Sequence, residues 1–393
     1  MQISQRVQNI AASQSLAMAA RAKQMKAEGI DVISMSLGEP DFDTPEYVRR
    51  AAQEAIDNHW SHYGPVPGIP SLREAIAKSQ LTNRQSSITY SGEDVIVSVG
   101  AKMAIFNAIQ TVINPGDEVI IPMPAWVSYG EMVKLAEGVV VPIATTYEDD
   151  YCLTPEQLRQ ALTSRTRLII LCSPNNPTGS VYSYEQLATL MEVLRDFPDV
   201  VILADEVYNR LVYGINAPSL ASFPDFAERL IIINAVSKAY AMTGYRVGWL
   251  LCKNKAFVAG CTRLQGQQLT CATMVAQKAA EAALTGPQES VEEMRCIFDE
   301  RRQLICRLAA EIPGFRFREP QGAFYLFPDV TALFCDKIPS ADALAEYLLN
   351  EAHVAVVSGS AFGSPSCIRL SYAISTEEIT EAMSRIKKAI LAL

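Results

Sequence analysis

Histidine is nearly missing from this chain of 393 residues, which has only His59, His62 and His353. That leaves little for a metal centre built on imidazole. The His59/His62 pair has no Cys, Asp or Glu at a familiar ligand interval and reads as polar loop. Paired cysteine spacing is missing too. The nine cysteines are odd in number and contain no CxxC, so neither a disulfide frame nor a thiolate zinc site is expected. Cys172 and Cys252 end apolar runs and read as reduced, packed thiols. No apolar run reaches membrane length, and the opening stretch MQISQRVQNIAASQ has neither the basic cluster nor the apolar core of a signal peptide. A cytoplasmic protein without membrane contact is expected. Positive charge is the scarcer sign, with 34 Lys and Arg against 43 Asp and Glu and a net charge of −9. Nucleic acid and anionic surfaces are therefore poor partners, and any anionic ligand must be held by a local group of cations.

What is present is an alternation of apolar runs and helical patterns, with no internal repeat, low-complexity tract or flexible linker. Residues 15–28 carry helical periodicity and stop at Gly29. A short strand at 32–36 and the loop LGEPDFDTP follow, and Thr44 with Pro45 is expected to cap a helix running to about Asn58. The loop HWSHYGPVPGIP is rich in proline and glycine yet holds Trp60 and Tyr63, as a loop that covers something would. From Asp94 onward strands are expected at 94–98, 118–121, 139–143, 167–172, 200–204, 229–234 and 247–252, with helices between them. Near-continuous apolar strands of this kind imply an α/β fold whose large, mostly parallel sheet is covered on both faces. After about Gly286 the pattern changes to a long helix at 290–312, short strands at 315–318, 323–327, 354–357 and 368–372, and helices at 341–350 and 377–391. Ser375 to Glu378 forms a capping box for the last helix. Residues 45–285 are thus expected to form a large domain. Residues 1–44 and 286–393 are expected to form a smaller α+β domain that closes over it.

Strand ends carry the chemistry in open α/β sheets. Gly100, Trp126, Asn176, Asp205 and Lys238 all fall at or just beyond such ends. The centre of this set is AVSKAYAMTGYRVGWL, where Lys238 and Arg246 lie between two apolar runs. A lysine there is either a solvated charge or a desolvated amine, which burial makes a nucleophile toward carbonyl carbon. Gly100-Ala101-Lys102 opens a helix whose free N–H groups suit a phosphate, although alone Gly100 reads as a plain strand-to-helix turn. Arg246 is placed to clamp the same phosphate. Asp205 suits a protonated ring nitrogen, its other reading being a helix N-cap. Tyr208 and Asn176 suit a ring hydroxyl, and Trp126 a ring face, its other reading being simple core. A phosphate cradle, a stacking face, an acid for a ring nitrogen and an imine-forming amine are together the requirements of pyridoxal phosphate.

The motifs SLGEPDFDTP, HYGPVPGIPSLR, SPNNPTG, ADEVY, SKAYAMTGYRVG and CIRLSY resemble those of the class I and II pyridoxal-phosphate aminotransferases, and of their bacterial aspartate aminotransferase branch in particular. The resemblance covers nearly the whole chain with the motifs in order. It implies fold type I and the following roles. Lys238 carries the cofactor as an imine, Asp205 pairs with the pyridine nitrogen, and Asn176 and Tyr208 hold the 3′ oxygen. Ser237 and Arg246 contact the phosphate together with Gly100, Ala101 and Lys102, and Tyr63 reaches it from the other subunit of a homodimer. Arg369 binds the substrate α-carboxylate, helped by Gly38, Trp126 and Asn176. Read from its residues alone, Arg369 alternates with Ile368 and Leu370 and points either to a cleft or to solvent.

The chemistry implied is ping-pong transamination between an L-amino acid, aspartate being favoured, and a 2-oxo acid such as 2-oxoglutarate. Lys102 sits in a helix's first turn, where a cation is unfavourable unless an anion compensates. That anion is either the cofactor phosphate or the distal carboxylate of an acidic substrate. Ser13 and Ser15 match polar positions near the distal pocket of the branch. Prephenate, aromatic, alanine or methionine specificity, a pyridoxal-phosphate β-lyase, and a non-catalytic cofactor-binding regulator are the competing readings.

Overall fold

The structure is a computed structural model that describes residues 1–11, 14–82 and 86–393. Ser13 and the side chain of Ser15 lie outside the described residues. A two-residue strand β1 (Ile33–Ser34) precedes the seven strands of the main sheet: β2 (Val95–Ser98), β3 (Glu118–Met123), β4 (Val139–Ala144), β5 (Thr166–Cys172), β6 (Val201–Asp205), β7 (Leu230–Ala235) and β8 (Gly248–Leu251). Their order across the sheet is β2-β8-β7-β6-β5-β3-β4. Only β8 is reversed, being antiparallel to both β7 and β2 while the remaining pairs run parallel.

Alternation along each strand decides what the sheet's two faces hold. On β7, Leu230 and Ile232 join one buried cluster with helices Pro70–Thr82, Tyr184–Arg195 and Met274–Thr285, while Ile231 and Ile233 join another with Gly100–Val112, Ser128–Leu135 and Lys255–Gln268. Each fully buried Leu or Ile contributes about 1.5–3 kcal/mol, which accounts for apolar residues throughout the central strands. The parallel strands end along one edge of the sheet, at Ser98, Met123, Cys172, Asp205 and Ala235, and reversal brings the start of β8 to the same edge, with Gly248 opposite Ala235.

The remaining strands are β9 (Tyr325–Leu326), β10 (Val354–Ala355), β11 (Val357–Ser358) and β12 (Ile368–Ser371). β12 lies antiparallel between β11 and β9, and β1 pairs in parallel with β10. Helices Glu289–Ala310, Ala341–Glu351 and Thr376–Leu391 pack with these strands around Phe298, Phe324, Tyr325 and Tyr372. The last helix carries the expected capping box of Ser375 and Glu378.

Three local expectations are corrected. Thr44 does not cap the helix Glu46–Asp57, whose N-cap is Pro45; its hydroxyl donates instead to Ala241 O at 2.7 Å. A long-range acceptor beside the Lys238 turn takes the group that would have served locally. Residues 315–318 form no strand but a single bridge, Arg316 to Asp329. Arg316 and Arg318 lie over the Tyr147 ring at 4.0 and 4.5 Å, and side chains rather than a ladder hold the segment. The strand expected at 354–357 divides at Val356, because β10 pairs with β1 and β11 with β12.

Candidate active site

A cleft of about 390 Å³ opens at the sheet edge where the strands end. Among the described residues, six charged ones line it: Lys102, Lys238, Arg246 and Arg369 against Glu39 and Asp205. A chain of net charge −9 thus concentrates positive charge at one point, as an anionic ligand requires.

Lys238 lies in the short helix Val236–Ala239 that leaves β7. Its side chain keeps some exposure to the cleft, but the amine is surrounded by protein and donates a short hydrogen bond to Gly38 O. Burial, with further help from Arg369 and Arg246, lowers its pKa to about 8, against the opposing pull of Glu39 and Asp205. A substantial share of the amine is therefore neutral at mildly alkaline pH, the form that acts as a nucleophile or base. Asp205 ends β6 beside Cys172 of β5. Its carboxylate accepts from Tyr129 Oη at 2.5 Å and from Val207 N at 3.2 Å. Burial raises its pKa and these two donors oppose the rise. The neighbouring Glu206 faces away and accepts from Ser219 Oγ at 2.7 Å and Leu220 N at 3.1 Å, which fixes a loop.

Gly100 begins its helix at φ +78°, and a Cβ there would fall 2.6 Å from Arg246 Nη2. The guanidinium therefore stands directly against a helix N-terminus. The Lys102 amine is 4.8 Å from the Trp126 ring, and its pKa is lowered by burial and then by Arg246. A dipole's positive end and two cations converge here, which is unfavourable unless an anion lies among them. Arg246 Nη1 also donates to Thr243 O at 2.8 Å, and Thr243 in turn contacts Glu39.

At the other end of the cleft Arg369 leaves β12, 3 % exposed, so the cleft and not solvent is the direction it takes. It donates to Asn176 Oδ1 at 2.9 Å and Ser36 O at 2.7 Å and lies between the rings of Tyr325 and Phe362. Its buried Nε has no partner among the described residues. Tyr208 and Tyr325 share a hydrogen bond of 2.8 Å. A Cβ at Gly38 would meet Tyr325 Oη at 2.4 Å, and the strap from Ser36 to Glu39 lies close to the cleft floor for want of one.

The match to known proteins extends along the whole chain. The family model for aminotransferases of class I and II covers residues 30–386. The chain belongs to the class I and II aminotransferases. This aminotransferase is 42 % identical to the aspartate aminotransferase of Bacillus sp. (strain YM-2) over 391 residues, 99 % of each chain. It is also 42 % identical to an aspartate/prephenate aminotransferase of Nitrosomonas europaea, across 98 % of this chain and 99 % of that one. The crystal structure of the aspartate aminotransferase from Rhizobium meliloti superposes with a TM-score of 0.95 at 38 % identity, covering 99 % of each chain. That of Thermus thermophilus with maleate superposes at 0.93 and 38 % identity, covering 99 % of this chain and 100 % of that one. The fold is thus fold type I, as the motifs implied.

Of the residues singled out in the sequence, Gly38, Ala101, Lys102, Trp126, Asn176, Asp205, Tyr208, Ser237, Lys238, Arg246 and Arg369 line the aminotransferase's cleft, with Gly100 directly behind. Tyr63 does not: it is 89 % exposed and does not line the cleft of its own chain. Sequence reasoning passed over Tyr129, Tyr325, Glu39 and Thr243. Tyr129 stands three residues beyond Trp126 in the first turn of a helix, and the two rings meet edge-on at 5.4 Å. That spacing was the available signal, since the turn that opens the helix, closed by Tyr129 N donating to Trp126 O at 3.1 Å, brings the two residues together. Tyr325 and Thr243 carried no comparable mark.

Proposed function

We propose that this aminotransferase moves an amino group between L-aspartate and a 2-oxo acid such as 2-oxoglutarate by a ping-pong mechanism, with pyridoxal 5′-phosphate held on Lys238. The observation that carries this reading is a single buried amine with a pKa of about 8 between two separate cationic ends of one cleft. The residues present fit the cofactor. The helix N-terminus at Gly100 with Ala101, Ser237, Arg246 and Lys102 supplies a phosphate cradle. Asp205 supplies an anion for a ring nitrogen, Trp126 a ring face, and Tyr208 with Asn176 polar groups for the ring oxygen. Bound there, pyridoxal phosphate would act as an electron sink for the substrate α-carbon.

The chain's own groups do the rest. Asp205, whose carboxylate accepts from Tyr129, would hold charge opposite the ring nitrogen. Arg369, steadied by Asn176 and Ser36, takes the substrate α-carboxylate, with Gly38 closing over it. Freed when the substrate's amine takes its place, the Lys238 amine would take the proton from the substrate α-carbon and carry it to the carbon on the far side of that amino nitrogen. Lys102 receives the distal carboxylate, which would explain a preference for acidic substrates.

The remaining parts of the proposal rest on their own observations. A homodimer that brings Tyr63 to the partner's phosphate site is supported by the exposure of that large ring, 89 %. Residues 45–285 as the large domain, and 1–44 with 286–393 as the smaller, are supported by the separate buried clusters around the main sheet and around Phe298 and Phe324. A cytoplasmic location is supported by nine free cysteines, most of them buried. No helix among the described residues is long and apolar enough to cross a membrane.

A panel of amino donors with 2-oxoglutarate, run beside a control without acceptor, tests the reading. Aspartate should lead the panel, and Lys238→Ala should abolish turnover. Turnover without acceptor would favour a lyase, preference for another donor would move the specificity, and near-normal rates in Lys238→Ala would refute the mechanism. Prephenate as acceptor is included because the Nitrosomonas relative's name carries it.

A further inference from the structure

A second cavity, of about 200 Å³, lies behind two of the turns that wall the active site. Ser237 and Lys238 line the first cavity while Ala235 and Ala239 line the second; Tyr208 lines the first while Asn209 and Arg210 line the second. Its floor follows from strand alternation. Asn234 and Trp249 are cross-strand partners on β7 and β8, and both fall on the face that buries Ile232 and Leu251. Being the last polar position before the sheet edge, Asn234 leaves that face with a polar margin.

Most polar groups around this cavity are satisfied. Asn234 Oδ1 accepts from Ala235 N at 2.8 Å, and Tyr240 donates to Gln288 Oε1 at 2.8 Å. Two groups are not. Among the described residues, Trp249, 2 % exposed, has an indole N–H without an acceptor, and Gln80, 3 % exposed, has a carbonyl oxygen without a donor. Each such orphan costs about 1–3 kcal/mol when nothing fills it. Half-buried Arg210 adds a cation; its field reaches Glu292, yet it forms no ion pair among the described residues.

Arg210, the Trp249 indole N–H and the Gln80 carbonyl oxygen thus have no hydrogen-bond partner among the described residues, and all three residues line one small space. The volume corresponds to about six or seven waters, too small for a drug-sized ligand but enough for a few heavy atoms. We propose that this cavity is a second binding site, for a small carboxylate that carries a hydrogen-bond donor on its α-carbon. The carboxylate faces Arg210 and the Trp249 indole, and the α-donor faces Gln80 Oε1. An α-amino acid and a 2-hydroxy acid share this chemistry. The site stands apart from the amino-transfer reading and does not depend on it.

The test uses the holoenzyme labelled with 5-fluorotryptophan, whose three tryptophans, Trp60, Trp126 and Trp249, are assigned by Trp60→Phe and Trp249→Phe. Fluorine spectra are recorded while L-serine, L-lactate or propionate is added. The Trp126 signal reports the active site and the Trp249 signal the second cavity. A saturable movement of the Trp249 signal with L-serine or L-lactate is expected, whichever of the two binds better naming the natural class. Propionate, lacking the α-donor, should bind about tenfold more weakly, and Arg210→Gln should weaken all three by about ten- to a hundredfold. Gln80→Met should abolish the advantage of L-lactate over propionate while leaving propionate unchanged. A Trp249 signal that stays still while the Trp126 signal saturates would mean a cavity holding water only and would overturn the proposal. So would equal affinity in Arg210→Gln.

Discussion

The group most exposed to a decisive experiment is Tyr129, because it touches Asp205 and because its ring can be kept while its hydroxyl is removed. Tyr129 is 2 % exposed and donates to Asp205 Oδ2 at 2.5 Å; Asp205 is 6 % exposed. Burial pushes the Asp205 pKa up, and the tyrosine hydroxyl is the foremost influence holding it down. A hydrogen bond to a charged group at a dry site contributes about 1.5–3 kcal/mol. Its loss in Tyr129→Phe should therefore let burial raise the Asp205 pKa further. The phenylalanine ring keeps the edge-on contact with Trp126, so packing is little altered. In a pH–rate profile of aspartate with 2-oxoglutarate, the acid limb of kcat/KM should move to higher pH. Well below the limb the variant should be about ten- to a hundredfold slower than the parent; above it the two should converge. A loss of equal size at every pH would refute the reasoning, since the hydroxyl would then act other than through the ionisation of Asp205. An unmoved limb would refute it as well.

Further outcomes are expected at other positions. Lys102→Ala should cut the preference for aspartate over alanine by about ten- to a hundredfold, the worth of one charged contact, as measured by the ratio of kcat/KM values; an unchanged ratio with weaker cofactor retention would assign Lys102 to the phosphate alone. Lys238 should make the cofactor-free chain more stable as pH rises. Its folded pKa of about 8 lies below the ordinary 10.5, so between these values the unfolded chain holds more protons and stability increases with pH. Below pH 8 the buried charge costs about 3 kcal/mol, and Lys238→Met should lose this slope in urea denaturation series; parallel pH curves for the two proteins would contradict it. Gly248→Ala would put a Cβ 2.3 Å from Ala101 N and 2.5 Å from Gly100 C, backbone atoms with no room to yield. It should cost about 1–3 kcal/mol in thermal unfolding, whereas Gly244→Ala, with nothing within 4 Å, should be close to neutral.

The sheet was legible because its strands are buried on both faces and their ends are marked by abrupt changes to polar residues. The expected run at 229–234 and the observed Leu230–Ala235 differ by one residue at each end. Lys238, Asp205 and Arg246 were legible for the same reason, each being an ionisable residue close to where an apolar run stops or starts. Arg369 was not decidable from alternation, since a two-fold period gives a side but not what lies on that side. The hydroxyl of Thr44 and the ring of Tyr129 were misread or missed because their partners, Ala241 and Asp205, stand 197 and 76 residues away. Local pattern carries no record of such distances. Residues 315–318 had strand composition, but Arg316 and Arg318 found an aromatic face and Glu148 in place of a neighbouring strand.

Reversal of β8 has a consequence for how this chain tolerates change. Had that strand of four residues run with its neighbours, its entry would sit at the opposite margin, about 13 Å away at the usual rise per residue. Arg246 would then be out of reach of Gly100 unless a long return loop carried it back. The turn between β7 and β8 instead acts as a fixed spacer that delivers an amine and a guanidinium to one margin from a single hairpin-like excursion. Insertions within it should therefore be selected against even where no side chain of the loop touches a ligand.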